Sequence, residues 1–321
     1  MRNLHAATKQ DAVNLPANET ADQHRRLFII QNPAAGMRQP ERLRKRIESL
    51  LLARGVSFEH AYTDAPGHGS DLVADALSRG YRRVLVAGGD GTVREAVSTL
   101  AGTEAALALL PAGTGNQMAA NLGVPKDLKR SLEVALRGRI RTVDLGMING
   151  RPFTAIAGAG IDAEVIRPKS QAKRRFGYLA YVHAATVAAL SPKPADLRIG
   201  LDGNRSITGR GVGVEVVNMP GLTAPGLPRP VPIVPNGRMD DGRLDGFLVT
   251  AETTFECFAA VGSIVLRRYN QTRRLHYFSA REISVEADPP LPVQADGELI
   301  GETPFRAKIW PNALRVLVPA G

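Results

Sequence analysis

Two halves of different class are predicted: an α/β half built on a parallel sheet up to about residue 140, and an antiparallel, β-rich half beyond it. Three observations lead there. Before Ile140, short apolar runs alternate with stretches of helical periodicity. Glycine turns follow these runs at Asn32 to Gly36, Gly88 to Thr92 and Pro111 to Asn116. After Ile140, hairpin dipeptides begin, first Asn149-Gly150 and then Asp202-Gly203.

In chain order, residues 1–24 are polar and aperiodic and are expected to be a disordered tail. Leu27 to Gln31 is a short apolar strand. Pro40 to Ala53 is a helix with Leu43, Ile47, Leu50 and Leu51 on one face, and Pro40 suits its first turn. Phe58 to Tyr62 is the second strand, and Gly69 to Arg79 the next helix, with Leu72, Val73, Ala76 and Leu77 inward. Val84 to Ala87 is the third strand. A helix from Val93 to Leu100 follows, and Ala105 to Leu110 is the fourth strand. Parallel strands with right-handed crossovers place ligands at the carboxyl edge, where the glycine turns and Thr63 fall. In the second half, Val143 to Ile148 and Pro152 to Ala157 flank the first hairpin turn. Helices are expected at about 172–190 and 254–268, and proline-rich loops at 219–235 and 288–292.

Composition narrows the class. With 321 residues, 44% hydrophobic and 22% charged, a large core needs no covalent staples. Cys257 is the single cysteine, which excludes an intrachain disulfide and any cysteine-rich zinc site. No apolar leader segment is visible at the N-terminus, and a cytoplasmic location with peripheral membrane association is expected. The net charge of +10 suits anionic partners. Aromatic residues are 5% and no nucleic-acid recognition motif is present, so nucleic acid is not expected as a partner.

The stretch Gly88, Gly89, Asp90, Gly91, Thr92, Val93, Arg94, Glu95 carries the chemistry. Strand, glycine turn and helix together bring backbone N–H groups up to an anion. Asp90 would repel phosphates unless it holds a cation, a hydroxyl or the loop itself; a helix cap is the plainer alternative. Gly113, Thr114 and Asn116 repeat the pattern. Neither a P-loop nor a complete dinucleotide fingerprint is present. Two acidic spots stand out later, Asp240-Asp241-Gly242 and Asp296-Gly297-Glu298. Each is a routine hairpin turn, or else a source of oxygen ligands for Mg²⁺ and of a base for an alcohol.

In this order, Asn32-Pro33-Ala34-Ala35-Gly36, Gly88 to Thr92, Pro111 to Asn116, Asp241-Gly242 and Asp296 to Glu298 resemble the diacylglycerol kinase catalytic-domain family, above all its bacterial lipid kinases, from Leu27 to Pro319. The resemblance implies a nucleotide domain over 25–141, a β-sandwich domain over 142–310, an active site in the cleft between them, and a terminal segment, 311–321, returning to the first domain. It implies that Asn32 to Gly36, Thr63, Gly89 to Glu95 and Thr114 bind ATP, with Gly88, Gly113 and Asn116 in the same turns. Asp241 and the carbonyls of Arg238 and Arg243 would hold Mg²⁺. Glu298 corresponds to the proton acceptor. Asp296 lies next to it in sequence and is as able to take a proton on chemical grounds, and Asp90 is the third catalytic candidate. Three residues depart from the family pattern: Ala35 for a common serine, Arg94 for a frequent asparagine, and Gln117 for a common aspartate. The implied activity is ATP-dependent phosphorylation of a lipid hydroxyl at a membrane surface, and a homodimer is compatible with it. The alternatives are an NAD kinase-like enzyme and a catalytically weakened nucleotide- or lipid-binding protein.

Overall fold

The computed structural model describes residues 26–34, 39–161, 163, 190–223, 229–269 and 271–320. The N-terminal tail, Ala35, Gly36 and most of the helix expected at 172–190 lie outside the described residues.

Four strands open the fold: β1 (Leu27–Gln31), β2 (Phe58–Tyr62), β3 (Arg83–Gly88) and β4 (Ala106–Pro111). They are parallel, in the order β2-β1-β3-β4. Helices α1 (Pro40–Leu52), α2 (His68–Ser78) and α3 (Asp90–Leu100) connect them, and α4 (Gln117–Asn121) and α5 (Leu128–Arg137) follow. The inner strands are apolar at successive positions because helices cover both faces. Phe28, Ile30, Val84 and Val86 meet Val73 of α2 and Val93 and Val97 of α3. Their neighbours Leu27, Ile29 and Leu85 point the other way, onto Ile47 and Leu51 of α1 and Leu132 of α5. Helix α3 begins three residues earlier than its apolar periodicity suggests, so Asp90, Gly91 and Thr92 form its first turn. Helix α5 is an addition to the expected elements; Asp127 caps it by accepting from the Arg130 amide at 3.0 Å.

The second half contributes β5 (Arg139–Ile148), β6 (Arg151–Phe153), β7 (Ile156–Gly160), β8 (Ala195–Leu201), β9 (Arg205–Gly211), β10 (Gly213–Val217), β11 (Gly221–Leu222) and β12 (Val231–Pro232). After these come β13 (Leu244–Val249), α6 (Thr254–Val265), β14 (Leu275–Ala280), β15 (Glu282–Asp288), β16 (Pro292–Ala295), β17 (Glu298–Glu302) and β18 (Phe305–Val318). Asn149-Gly150 turns β5 into β6, and Asp202-Gly203 turns β8 into β9. Both dipeptides have positive φ at each residue, which these two-residue turns require.

Strand β18 joins the halves. It pairs antiparallel with β5 and β15, and its Arg315 and Val316 pair parallel with Ala106 and Leu107 of β4. The parallel sheet is thereby continuous with one sheet of the sandwich. A second sheet, β14-β13-β10-β7-β16-β17, packs across it. Ile199, Ile283, Val285 and Phe305 of the first sheet share a core with Val214, Val216, Leu248 and Val293 of the second. The boundary expected at 141/142 falls inside β5. No described helix is long and apolar enough to cross a membrane.

One buried base in the first half sets an acid limit on stability. The His60 side chain on β2 lies under α1, with Nε2 2.9 Å from Gln31 Oε1 and Nδ1 3.4 Å from Glu48. Burial, and secondly the Arg44 charge, lower its pKa from 6.5 to about 4. The folded chain thus resists a proton that the unfolded chain accepts. Stability from this site is complete above pH 6.5 and is lost as pH falls toward 4, by up to about 3 kcal/mol. Unfolding midpoints across this range are expected to fall less steeply in His60→Gln than in wild type. Parallel curves would remove His60 as a cause.

Candidate active site

The first-half candidates gather at the carboxyl edge of the parallel strands. Asn32 follows β1. Its Oδ1 accepts from the Ala34 amide at 2.9 Å, and its Nδ2 donates to Thr92 Oγ1 at 2.9 Å. Thr63 follows β2, buried, its amide bonded to Gln31 O. The two later glycine turns touch backbone to backbone: a Cβ on Gly113 would stand 2.4 Å from Gly89 Cα. A Cβ on Gly88 would strike Thr92, at 2.8 Å. Gly91 is different, since a Cβ there would meet nothing within 4 Å. Protein packing therefore accounts for Gly88, Gly89 and Gly113 and leaves Gly91 open.

Asp90 does not cap its own helix. Its carboxylate reaches across to α4, accepting from the Asn116 amide at 2.9 Å and the Gln117 amide at 2.6 Å. The Asp90 pKa is raised: burial of the carboxyl group is the main cause, the two amides oppose it, and the Asp296 charge adds to the rise. The residue as a whole keeps exposed surface, so the burial concerns the carboxyl end inside the turn. Asn116, at φ 53°, ties its own loop by accepting from the Gly113 amide and donating to Gly113 O. Glu95, on α3, is committed to the start of α2, accepting from the Gly67 and Gly69 amides at 2.9 and 3.0 Å.

From the other half, Asp296 and Gly297, at φ 46° and 82°, turn β16 into β17. The two acids then diverge. Asp296 folds back to accept from the Thr154 amide and hydroxyl, the Ala155 amide and the Ile156 amide, at 2.6, 2.8, 2.8 and 3.3 Å. Four donors occupy the lone-pair sites of a carboxylate. Glu298 instead projects toward α3 and pairs with Arg94, whose other Nη donates to Asp296 O at 3.2 Å. Its side chain is 62% exposed and has no second partner among the described residues. Arg94, one of the departures from the family pattern, thus links the first half to the candidate base.

Gln117, another departure, has a partner as well. Its Oε1 accepts from the Thr223 amide at 2.8 Å, and its Nε2 lies 3.5 Å from Thr223 O. One turn on, Asn121 pairs the same way with Gly221, accepting at 3.0 Å and donating at 2.8 Å. The Thr223 hydroxyl donates to Gly115 O at 2.8 Å. Helix α4 therefore holds β11 of the second half over the second glycine turn. Gln117→Glu keeps the length but turns an oxygen toward Thr223 O. Hydrogen exchange at Gly221 and Thr223 is expected to rise at least about fivefold, the value of one net bond of roughly 1 kcal/mol, with β1 unchanged. Equal exchange in both proteins would show that the amide ladder carries no load.

Asp241 is exposed and accepts from the Arg243 amide at 3.1 Å. Asp240 is engaged with Arg141 and Arg238; burial alone would raise its pKa, but these two guanidiniums bring it below the ordinary value. Asp144 was absent from the sequence candidates. It is buried in β5 and accepts from the Gly242 and Asn312 amides, each at 2.7 Å, which anchors the Asp241 loop to β18. An acid inside an apolar strand, Val143-Asp144-Leu145, was its only sequence signal. Among the described residues no group of three or more His, Cys, Asp or Glu side chains is placed to hold a metal.

The comparisons with known proteins agree with this architecture. Residues 26–148 match the diacylglycerol kinase catalytic domain, and residues 155–318 match the YegS C-terminal NAD kinase beta sandwich-like domain. A "Diacylglycerol kinase" of Mycobacterium tuberculosis is 29% identical over 92% of this chain and 95% of its own. A "Probable lipid kinase YegS-like" of Pseudomonas aeruginosa is 31% identical over 79% and 82%. The crystal structure of a diacylglycerol kinase from Bacillus anthracis str. Sterne superposes with a TM-score of 0.72 at 22% identity, covering 92% of this chain and 97% of that one, which shows the shared fold. By the span of both domain matches and by these relatives, the chain belongs to the diacylglycerol kinase catalytic-domain family of kinases, in its form with a YegS-type C-terminal domain.

Proposed function

We propose that this protein is an ATP-dependent lipid kinase that transfers the γ-phosphoryl group to the hydroxyl of diacylglycerol or a related lipid. The observation that carries the reading is the meeting of an open helix N-terminus, at Gly91, with an exposed carboxylate, Glu298, tied to the same helix by Arg94. Phosphate oxygens suit the first turn of α3, where amides lack helical partners and Gly91 presents no side chain. Asn32, Pro33, Ala34, Thr63, Gly88, Gly89, Thr92, Val93, Gly113, Thr114 and Asn116 shape the walls. We assign Glu95 and Asn116 to bracing the turns rather than to touching phosphate, because their side chains are engaged.

In transfer, Glu298 takes the proton of the lipid hydroxyl. The freed oxygen attacks the γ-phosphorus, the bond to the β,γ-bridging oxygen breaks, and ADP leaves. Arg94 orients Glu298. Asp296 holds the 154–156 backbone. The donor chemistry suits Mg²⁺, a hard cation satisfied by carboxylate, carbonyl and water oxygens. Asp241, with the carbonyls of Arg238 and Arg243, would hold it. Bound Mg²⁺ supplies charge neutralisation. Addition of Mg²⁺ is expected to raise the thermal midpoint of wild type but not of Asp241→Ala; an equal rise in both would leave Asp241 a turn residue.

The deciding assay offers radiolabelled ATP with diacylglycerol, sphingosine, ceramide, phosphatidylglycerol and NAD in turn. A labelled lipid supports the reading. Label on NAD alone, or on nothing, overturns it.

A further inference from the structure

Helix α6 is apolar on two faces. Inward, Cys257 and Ala260 are buried, Ala260 among Phe247 and Leu275. Outward, Phe255 is 82% exposed, Phe258 47%, Val261 57%, and Leu266, at the helix end, 64%. Surface helices ordinarily carry polar residues on that side, and a contiguous apolar patch marks an interaction site. The charge near it that lacks an ion-pair partner among the described residues is basic. Glu256, in the first turn, is engaged in a capping box and with Arg274, and Glu252 pairs with Arg210. At the far end Arg267, Arg268 and Arg273 are exposed and make no ion pair with the described residues. The Tyr269 hydroxyl donates to Pro232 O of β12 at 2.8 Å. Strand β12 pairs with β11, the strand held by Gln117 and Asn121. The segment that follows α6 thus touches the hairpin that α4 holds over the second glycine turn.

We propose that the outward face of α6 is the surface by which this protein lies on an anionic lipid bilayer, with Phe255, Phe258, Val261 and Leu266 among the acyl chains and Arg267, Arg268 and Arg273 on lipid phosphates. The proposal deepens the lipid-kinase reading and rests on it for its purpose. Charge complementarity decides the occupant. A helix lying in a bilayer interface combines a wide apolar face with unpaired basic groups at its margin, and the whole chain carries +10.

The test is co-sedimentation with vesicles of phosphatidylcholine alone and of phosphatidylcholine mixed with phosphatidylglycerol. Wild type is expected to prefer the mixed vesicles and to be released by salt. The double variant Phe255→Ser, Phe258→Ser is expected to bind at least about tenfold more weakly, through lost apolar transfer. Arg267→Ser with Arg268→Ser is expected to lose the preference for the anionic lipid. Both variants are expected to keep the wild-type thermal midpoint and wild-type turnover of a short-chain diacylglycerol dispersed as monomers. Failure of wild type to bind, or undiminished binding by the phenylalanine variant, overturns the proposal. Because Cys257 is buried, Phe255→Cys can carry an environment-sensitive dye, whose emission is expected to shift to the blue only when vesicles are added. A dye already shifted without vesicles means that the face is covered by another part of this chain or, if the shift grows with protein concentration, by a second copy; either overturns it. Vesicle binding that depends on α6, with no lipid phosphorylated by wild type, sustains the surface and discards the kinase reading alone.

Discussion

Glu298→Gln is expected to lower kcat by at least about a hundredfold, the low end for loss of a general base, with ATP affinity little changed. A lipid alcohol is a poor nucleophile near neutrality, so its proton must pass to a group within hydrogen-bond reach in the transition state. Of the two carboxylates in the closing turn, only Glu298 has room for that proton. Asp296 is filled by four donors from Thr154, Ala155 and Ile156. The amide of glutamine keeps the length and a hydrogen bond but takes no proton. It also loses the ion pair with Arg94, so Arg94→Ala is the necessary companion. The pair is exposed on the Glu298 side, where such contacts contribute little to stability. Arg94→Ala should therefore leave the thermal midpoint unchanged and lower kcat less than Glu298→Gln does. Asp296→Asn presents an NH₂ group to backbone donors, so its loss of activity should come with a lowered midpoint. Steady-state kinetics and thermal melts on the three variants separate these roles. Wild-type kcat in Glu298→Gln would return the motif to a plain hairpin turn.

Asp90→Ala is expected to reduce phosphoryl transfer to background and, unlike a cap on an isolated helix, to loosen two loops at once. The carboxylate is the bond between the first turn of α3 and the start of α4. Removing it leaves the Asn116 and Gln117 amides without their partner and costs about 2 to 4 kcal/mol, two hydrogen bonds to a charged group discounted for solvent access. The Gly89 and Gly113 backbones are in contact, so slack between the turns displaces the amides proposed to meet phosphate. Loss of such preorganised donors lowers turnover about a hundredfold or more. ATP affinity should fall with it, which distinguishes this variant from Glu298→Gln. The raised pKa adds a check with a definite sign. A carboxyl group that ionises less readily folded than unfolded weakens stability as pH rises through its folded pKa, and Asp90→Asn should lack that decline. Near-normal turnover in Asp90→Ala would make the turn purely structural and remove the centre of the proposed site.

Both variants probe contacts that no local stretch of sequence contains. The parallel half was legible because its strands are covered on both faces, which leaves apolar runs, and its helices bury one stripe each, which leaves a helical period; β1 and β2 begin and end at the expected residues. Hairpins at Asn149 and Asp202 were legible because few residue pairs tolerate two positive φ angles. Helix α3 starts three residues before its apolar period because its first turn faces the other loops and not the core. Helix α5 is not legible in sequence, because charged residues surround its short apolar stripe of Leu128, Leu132 and Ala135.

Within the site, the residue types and their order came from sequence, together with the family they resemble. The division of labour among them did not. Asp296 and Glu298 are two residues apart and chemically alike, yet one binds the backbone of 154–156 and the other meets Arg94, because a tight turn sends their side chains to different neighbours. Gln117 stands in sequence as a lost carboxylate, and only the fold sets Thr223 opposite it; Asp144 carries no role in sequence, and only the fold closes Gly242 and Asn312 on it. Composition, periodicity and turn chemistry are local and survive in one dimension. Which carboxylate keeps a free lone pair depends on donors brought from more than a hundred residues away, and only the packed chain decides that.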